Sequence, residues 1–152
     1  MLPAYRLQVR FVCIVALVGC GYHAGSFATL ASPFAGTQIT LGCIDLAVAH
    51  SSDPQATGPV VDYEFGNRCE HRVMFDLSAA RVVARTGAGV EVALAAYDPQ
   101  REISPLPLPA LGTGHEWIEY EGVGPQTPIC VDVGGTVPDA AAGVRWICPE
   151  SR

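Results

Sequence analysis

Lysine is missing altogether: the nine basic residues of this 152-residue chain are all arginine. Charged residues of both signs make up only 16%, where a globular chain carries about 25%. Nine bases against fifteen acids leave a net charge of -6, with no basic patch to neutralise nucleic-acid phosphates. The run of about 20 apolar residues that a helix needs to cross a bilayer is missing too. So are a G-x-S-x-G nucleophile elbow and a second Cys or His pair at zinc spacing. Neither an internal repeat nor a low-complexity block occurs. Hydrophobic residues reach 49%, too many for a disordered chain. One globular domain with an apolar start remains.

That start has a definite layout. Met1 to Arg10 carry Arg6 and Arg10 and no acid, and Phe11 to Val18 (FVCIVALV) is unbroken apolar sequence before Gly19 and Cys20. A positive end, a short apolar stretch and a small residue are the parts of a secretory signal peptide.

The last four residues, Leu17-Val18-Gly19-Cys20, resemble the lipobox of bacterial lipoproteins. The resemblance covers the first 20 residues and says nothing of the domain behind them. It implies diacylglyceryl attachment to the Cys20 thiol, cleavage after Gly19 and acylation of the new amine. Cys13 has no small residue before it and does not fit. The plainer alternative is an ordinary signal peptide cut after Gly19 or Ala24. Two or three acyl chains anchor a protein stably, whereas one does so only marginally. Gly21 follows the cysteine where an aspartate would retain the protein, which by the same resemblance points to the outer membrane, facing the periplasm or the cell surface.

Removing residues 1–19 takes away two arginines and no acid, leaving seven bases, fifteen acids and a net charge of -8. Beyond Cys20 stand Cys43, Cys69, Cys130 and Cys148. An even number of cysteines in an exported chain predicts a disulfide framework. Cys43 and Cys69 are centred on residue 56, within the turn 53–58, and Cys130 and Cys148 on residue 139, within the turn 136–143. Each pair can face itself across a hairpin, where opposing residues approach to about 4.5 Å between Cα atoms. This favours Cys43–Cys69 with Cys130–Cys148. The rival, Cys43–Cys148 with Cys69–Cys130, ties the ends of the chain together and closes longer loops.

Three segments follow: a signal peptide over 1–19, a lipidated flexible tether over 20–37, small and uncharged, and a β-domain over 38–152. Period-two alternation dominates the last. Ile39, Leu41 and Cys43 alternate with polar or small residues, then Ile44, Leu46 and Val48 continue in the opposite phase. The flip predicts a bulge near Cys43 or a strand changing sheets. Val61/Tyr63/Phe65, Val73/Phe75/Leu77, Val90/Val92/Leu94, residues 115–121, 129–133 and 144–148, and a weaker 81–85 complete the set. Only 77–85 suits a short helix. Seven to eight short strands between Gly, Pro and Asp turns predict an all-β fold, an antiparallel, immunoglobulin-like β-sandwich. Pro105, Pro107 and Pro109 confine their segment to an edge or a crossover.

Candidate chemistry is sparse. Cys69-Glu70-His71 offers two metal-ligand types, but an exported pair of cysteines is better read as cystine, so no metal or other cofactor is expected. His50-Ser51-Ser52-Asp53 reads as a polar turn, and His50, His71 and His115 have no recognisable nucleophile and orienting partner. Glu116, Glu119 and Glu121 surround Trp117 and Tyr120. Acids two apart on a strand lie about 7 Å apart, but nothing marks either as protonated, and acidic decoration of an edge strand explains them. Trp117, Tyr120 and Trp146 are the candidate ligand-binding residues. The expected function is a lipid-anchored cell-envelope protein with a non-catalytic interaction or structural module, bound to the membrane and to an envelope protein or glycan. The alternatives are a carbohydrate- or peptidoglycan-binding lipoprotein and an unanchored secreted protein.

Overall fold

A computed structural model describes residues 21–51, 53–97, 103, 105–140 and 142–150. Cys20 and the lipobox lie outside the described residues. Ten strands form: β1 (Thr37–Leu41), β2 (Ile44–Ser51), β3 (Val60–Asn67), β4 (Val73–Phe75), β5 (Arg81–Arg85), β6 (Glu91–Ala96), β7 (Leu106–Leu108), β8 (Thr113–Glu121), β9 (Ile129–Asp132) and β10 (Trp146–Ile147). Leu77–Ala79 makes one 3₁₀ turn, with Asp76 accepting from the Ser78 N–H at its start. The protein is all-β, with ten strands among the described residues where the alternation predicts seven to eight.

Eight strands run in the order β1-β2-β3-β8-β6-β5-β9-β10, and β4 pairs with β7 apart from them. Every strand pairing is antiparallel. β8 joins the two halves: residues 113–119 pair with β3 and only Tyr120 and Glu121 with β6. Side chains of both halves meet in one core containing Val61, Tyr63, Phe65, Ile118, Val82 and Val131. This is the sandwich arrangement. Phe65 packs against Phe75 of β4 with ring centroids 4.5 Å apart, so the small sheet closes one side of the core. Each fully buried side chain of this size contributes about 1.5–3 kcal/mol relative to exposure. Pro107 sits in β7, a two-stranded sheet's edge, where its missing N–H costs no ladder bond.

The phase flip at Cys43 is neither a bulge nor a change of sheet. Leu41 pairs with Ile44, so Gly42-Cys43 is a two-residue hairpin turn between β1 and β2. Gly42 has φ 58°, a left-handed conformation that favours glycine. Reversing the chain after Leu41 explains why the alternation resumes out of step.

His50 corrects the sequence reading as well. It lies within β2, opposite Val61, and is buried. Its Nε2 is 2.8 Å from the Pro125 carbonyl and its Nδ1 has no partner. A carbonyl can only accept, so Nε2 is the donor in this contact. Both His50 and Ser51, read from composition as turn residues, belong to β2.

Residues 21–36, read from composition as a tether, are folded onto the outer face of β2 and β3. Tyr22 and Phe34 stack at 5.9 Å, Phe27 meets Phe34 edge-on, and Ala47 lies beneath them. The buried Asp45 carboxylate holds this lobe in place. It accepts from the Tyr22 hydroxyl at 2.9 Å, the Gly25 N–H at 2.6 Å and the Thr40 hydroxyl at 2.9 Å. Arg68 Nε stands 3.3 Å away as counter-charge. Ala35 N–H donates to Glu64 at the far end of the lobe. A buried carboxylate requires such partners, and here two of the four come from the lobe.

Candidate interaction face

Period-two alternation turns one set of side chains of β2, β3 and β8 away from the core. The register then places Trp117 opposite Asp62 and His115 opposite Glu64, with Asp62 opposite Ala49 on its other side. The lobe covers the end of this face near Asp45, Ala47 and Gly66. The other end stays open, and Trp117 is 51% exposed there.

Three polar groups meet beside Trp117. Ser51 donates its hydroxyl to Asp62 Oδ2, and His115 Nε2 lies 3.5 Å from Asp62 Oδ1. Both partners therefore end on one carboxylate. A nucleophilic site needs the serine to donate to the imidazole, with the carboxylate behind it. Here the hydroxyl proton is committed to Asp62 instead. The arrangement can offer an aromatic plate, a carboxylate and an imidazole to a ligand, but it does not activate a nucleophile.

Glu119 serves a different purpose from edge decoration, because β8 is an interior strand flanked by β3 and β6. Its Oε1 accepts from the Thr57 N–H at 2.6 Å, the Thr57 hydroxyl at 2.9 Å and the Gly58 N–H at 3.0 Å. The Thr57 backbone N–H, with these partners, holds the carboxyl below the usual glutamate range. The residue ties the loop between β2 and β3 to β8.

The three aromatic residues singled out from sequence do not converge. Tyr120 is in the core, its hydroxyl 3.1 Å from that of Tyr63. Burial and this neighbouring phenol push the Tyr63 hydroxyl well above its ordinary range. Trp146 is on β10 in the other half, with the Arg81 guanidinium 5.5 Å from its ring centroid. Only Trp117 stands on the open face. Sequence reasoning missed Asp62 and Ser51 as its companions. Alternation already turned Asp62 outward, but the register that sets it beside Trp117 is a long-range pairing.

The cysteines are joined Cys43–Cys69 and Cys130–Cys148. One further step of the β9–β10 register, Ile147 opposite Val131, sets Cys148 opposite Cys130, with Cα atoms 4.1 Å apart. The β2–β3 register instead sets Cys43 opposite Arg68. Cys69 is one residue further on, outside the ladder, and its Cα lies 5.5 Å from that of Cys43. The Cys69 sulfur next to Glu70 and His71 is thus a cystine sulfur and not a thiolate ligand. Among the described residues, no three His, Cys, Asp or Glu side chains are grouped to hold a metal ion. No protein-family model matches the chain, and no curated protein or solved structure is significantly similar to it.

Proposed function

We propose that this is a lipid-anchored cell-envelope protein whose β-sandwich is a non-catalytic interaction module working through the open face around Trp117. The observation that carries the anchor is Leu17-Val18-Gly19-Cys20 directly behind the Phe11–Val18 apolar run. Two disulfides support export, since cystines persist in oxidising compartments. The shared use of Asp62 by Ser51 and His115 favours binding over catalysis. Labelling with a fatty-acid analogue tests the anchor: Cys20→Ser abolishes incorporation and releases the domain from the membrane fraction. Labelling unchanged in Cys20→Ser overturns the assignment of the anchor to Cys20, and an unaltered chain that takes up no label is an unanchored secreted protein.

A second reading has its own observation. Trp117, exposed and flanked by Asp62 and His115, has the composition of a sugar-binding platform, an aromatic face with polar groups at its rim. Binding of peptidoglycan fragments or arrayed glycans, lost in Trp117→Ala, favours a glycan ligand. Capture of an envelope protein, lost in the same variant, favours a protein partner.

A further inference from the structure

The lobe over residues 21–36 contains no Asp, Glu, Lys or Arg and one exposed histidine, His23, in a mature chain of net charge -8. It is also a folded unit. Ala28 bridges Pro33, Thr29 N–H donates to the Ser32 carbonyl at 2.8 Å, and the Thr29 hydroxyl accepts from the N–H groups of Ala31 and Ser32. This closed turn presents Leu30 at its tip, 85% exposed. Beside it Leu111, at φ 52°, is 41% exposed and fixed through its carbonyl by the Tyr22 N–H. A cavity of about 480 Å³ opens between them; its lining includes Gly21, Ala28, Ala31 and Leu111 together with His23 and Thr29, and no Asp, Glu, Lys or Arg.

We propose that this lobe seats the domain on the bilayer, with Leu30 and Leu111 entering the boundary between headgroups and acyl chains. The inference rests on acylation of Cys20. If Cys20 carries the lipid, its Cα lies one peptide, about 3.8 Å, from that of Gly21 in the cavity wall. No free tether separates the anchor from the lobe, because the Tyr22 N–H is already bonded to the Leu111 carbonyl. The lobe is therefore the part of the domain that meets the membrane. Its lack of acidic side chains suits that position: an anionic leaflet repels the acidic remainder of the chain and does not repel the lobe. Exposed leucines gain there the burial that water denies them.

The test uses the acylated chain in vesicles of phosphatidylethanolamine and phosphatidylglycerol. Leu30→Trp, with Trp117→Phe and Trp146→Phe, makes residue 30 the sole tryptophan. Lipids brominated along their acyl chains quench its emission, and its spectrum shifts to the blue on vesicle binding. A second variant retaining only Trp146 stays unquenched. The same measurement is made on residues 21–152 with an N-terminal hexahistidine held by nickel-chelating lipid. Quenching of residue 30 in that form supports the seating even where labelling of Cys20 fails, so the two ideas fail separately. Unquenched residue 30 on vesicle-bound protein overturns the proposal. So does quenching only by soluble agents in water, or burial of residue 30 in a dimer without vesicles.

Discussion

Tyr22 stands so close over Gly66 that a Cβ on the glycine would come 2.2 Å from the tyrosine Cζ. Only a bare α-carbon on β3 lets the lobe settle there. Gly66→Ala should therefore lift Tyr22 off the sheet while the core on the opposite face persists. Limited proteolysis should then cut within residues 21–36 and leave a folded remainder. A lobe that stays protected in this variant refutes the steric account. Tyr22→Phe should loosen the same segment more mildly. It removes the hydroxyl that donates to Asp45, a bond to a carboxylate of about 1.5–3 kcal/mol, and that accepts from the Phe27 N–H, but keeps the ring stacked on Phe34.

Asp132 anchors the last hairpin. It accepts from the N–H groups of Gly134 at 3.1 Å and Arg145 at 2.7 Å, and from Arg81 of β5. Asp132→Ala leaves two N–H groups without that acceptor, so a loss of about 1–3 kcal/mol in denaturant unfolding is expected. Arg81→Ala should cost less, because the guanidinium is largely exposed and screened. Equal losses in the two variants would mean that the ion pair, and not the backbone capping, holds the hairpin.

Acid should destabilise the protein through identified carboxylates. Burial raises the Asp132 carboxyl, but the Arg145 N–H, the Arg81 side chain and the Gly134 N–H outweigh it and hold the group below its ordinary range. Glu119 is lowered by Thr57 and Gly58. Folded values below unfolded ones mean that the unfolded chain takes up protons first. Their contribution is complete above about pH 4 and is lost as pH falls through the folded values. Unfolding curves measured across that range should flatten in Asp132→Asn and Glu119→Gln. A slope unchanged in both variants counts against this assignment.

The alkaline limb should belong to tyrosine. Tyr63, by burial and its Tyr120 neighbour, and Tyr22, by burial and its bond to Asp45, are both raised. The folded protein keeps these protons longer than the unfolded chain does. Their contribution is complete below about pH 10 and is lost as pH rises through the folded values. Phenolate absorbance should show Tyr63 ionising only together with unfolding. Early ionisation in the native protein would contradict the buried pair.

Alternation made the inward side of β3, β4 and β8 legible, because burial on one face imposes a period of two. It failed at β6, where Val90 lies outside the strand and Val90 and Val92 are both exposed. Val61, Tyr63 and Phe65 lie in the core as their spacing predicts, as does Ile118. What depends on another part of the chain was not legible. The lobe reads as linker because no internal period marks it; its order comes from Asp45 and Glu64 on strands met later in the sequence. His50 reads as a turn residue because serines and an aspartate follow it, while its burial depends on Pro125. Of the Trp117 face, the outward direction was legible and the neighbours were not. Tyr120 was misplaced among ligand-binding residues even though the same alternation puts it on the side of Ile118.

Oxidation of Cys130 and Cys148 closes a span of 18 residues, worth roughly 3 kcal/mol by loop entropy. Replacing both by alanine should lower stability by about that amount. Non-reducing digestion should yield linked peptides only for Cys43–Cys69 and Cys130–Cys148. A peptide joining Cys69 to Cys130 would rule out this connectivity.

Beyond Cys20, the cysteines pair in the order in which they occur along the chain, first with second and third with fourth. A chain threaded through a membrane from its N-terminus presents them in that same order. An oxidase that joins each cysteine to the next one to emerge would reach the native connectivity without reshuffling, a step that takes seconds to hours. If the chain is exported as proposed, the hairpin geometry that brings each pair together would also free its maturation from an isomerase, and a strain lacking isomerase activity should accumulate the correctly bonded protein.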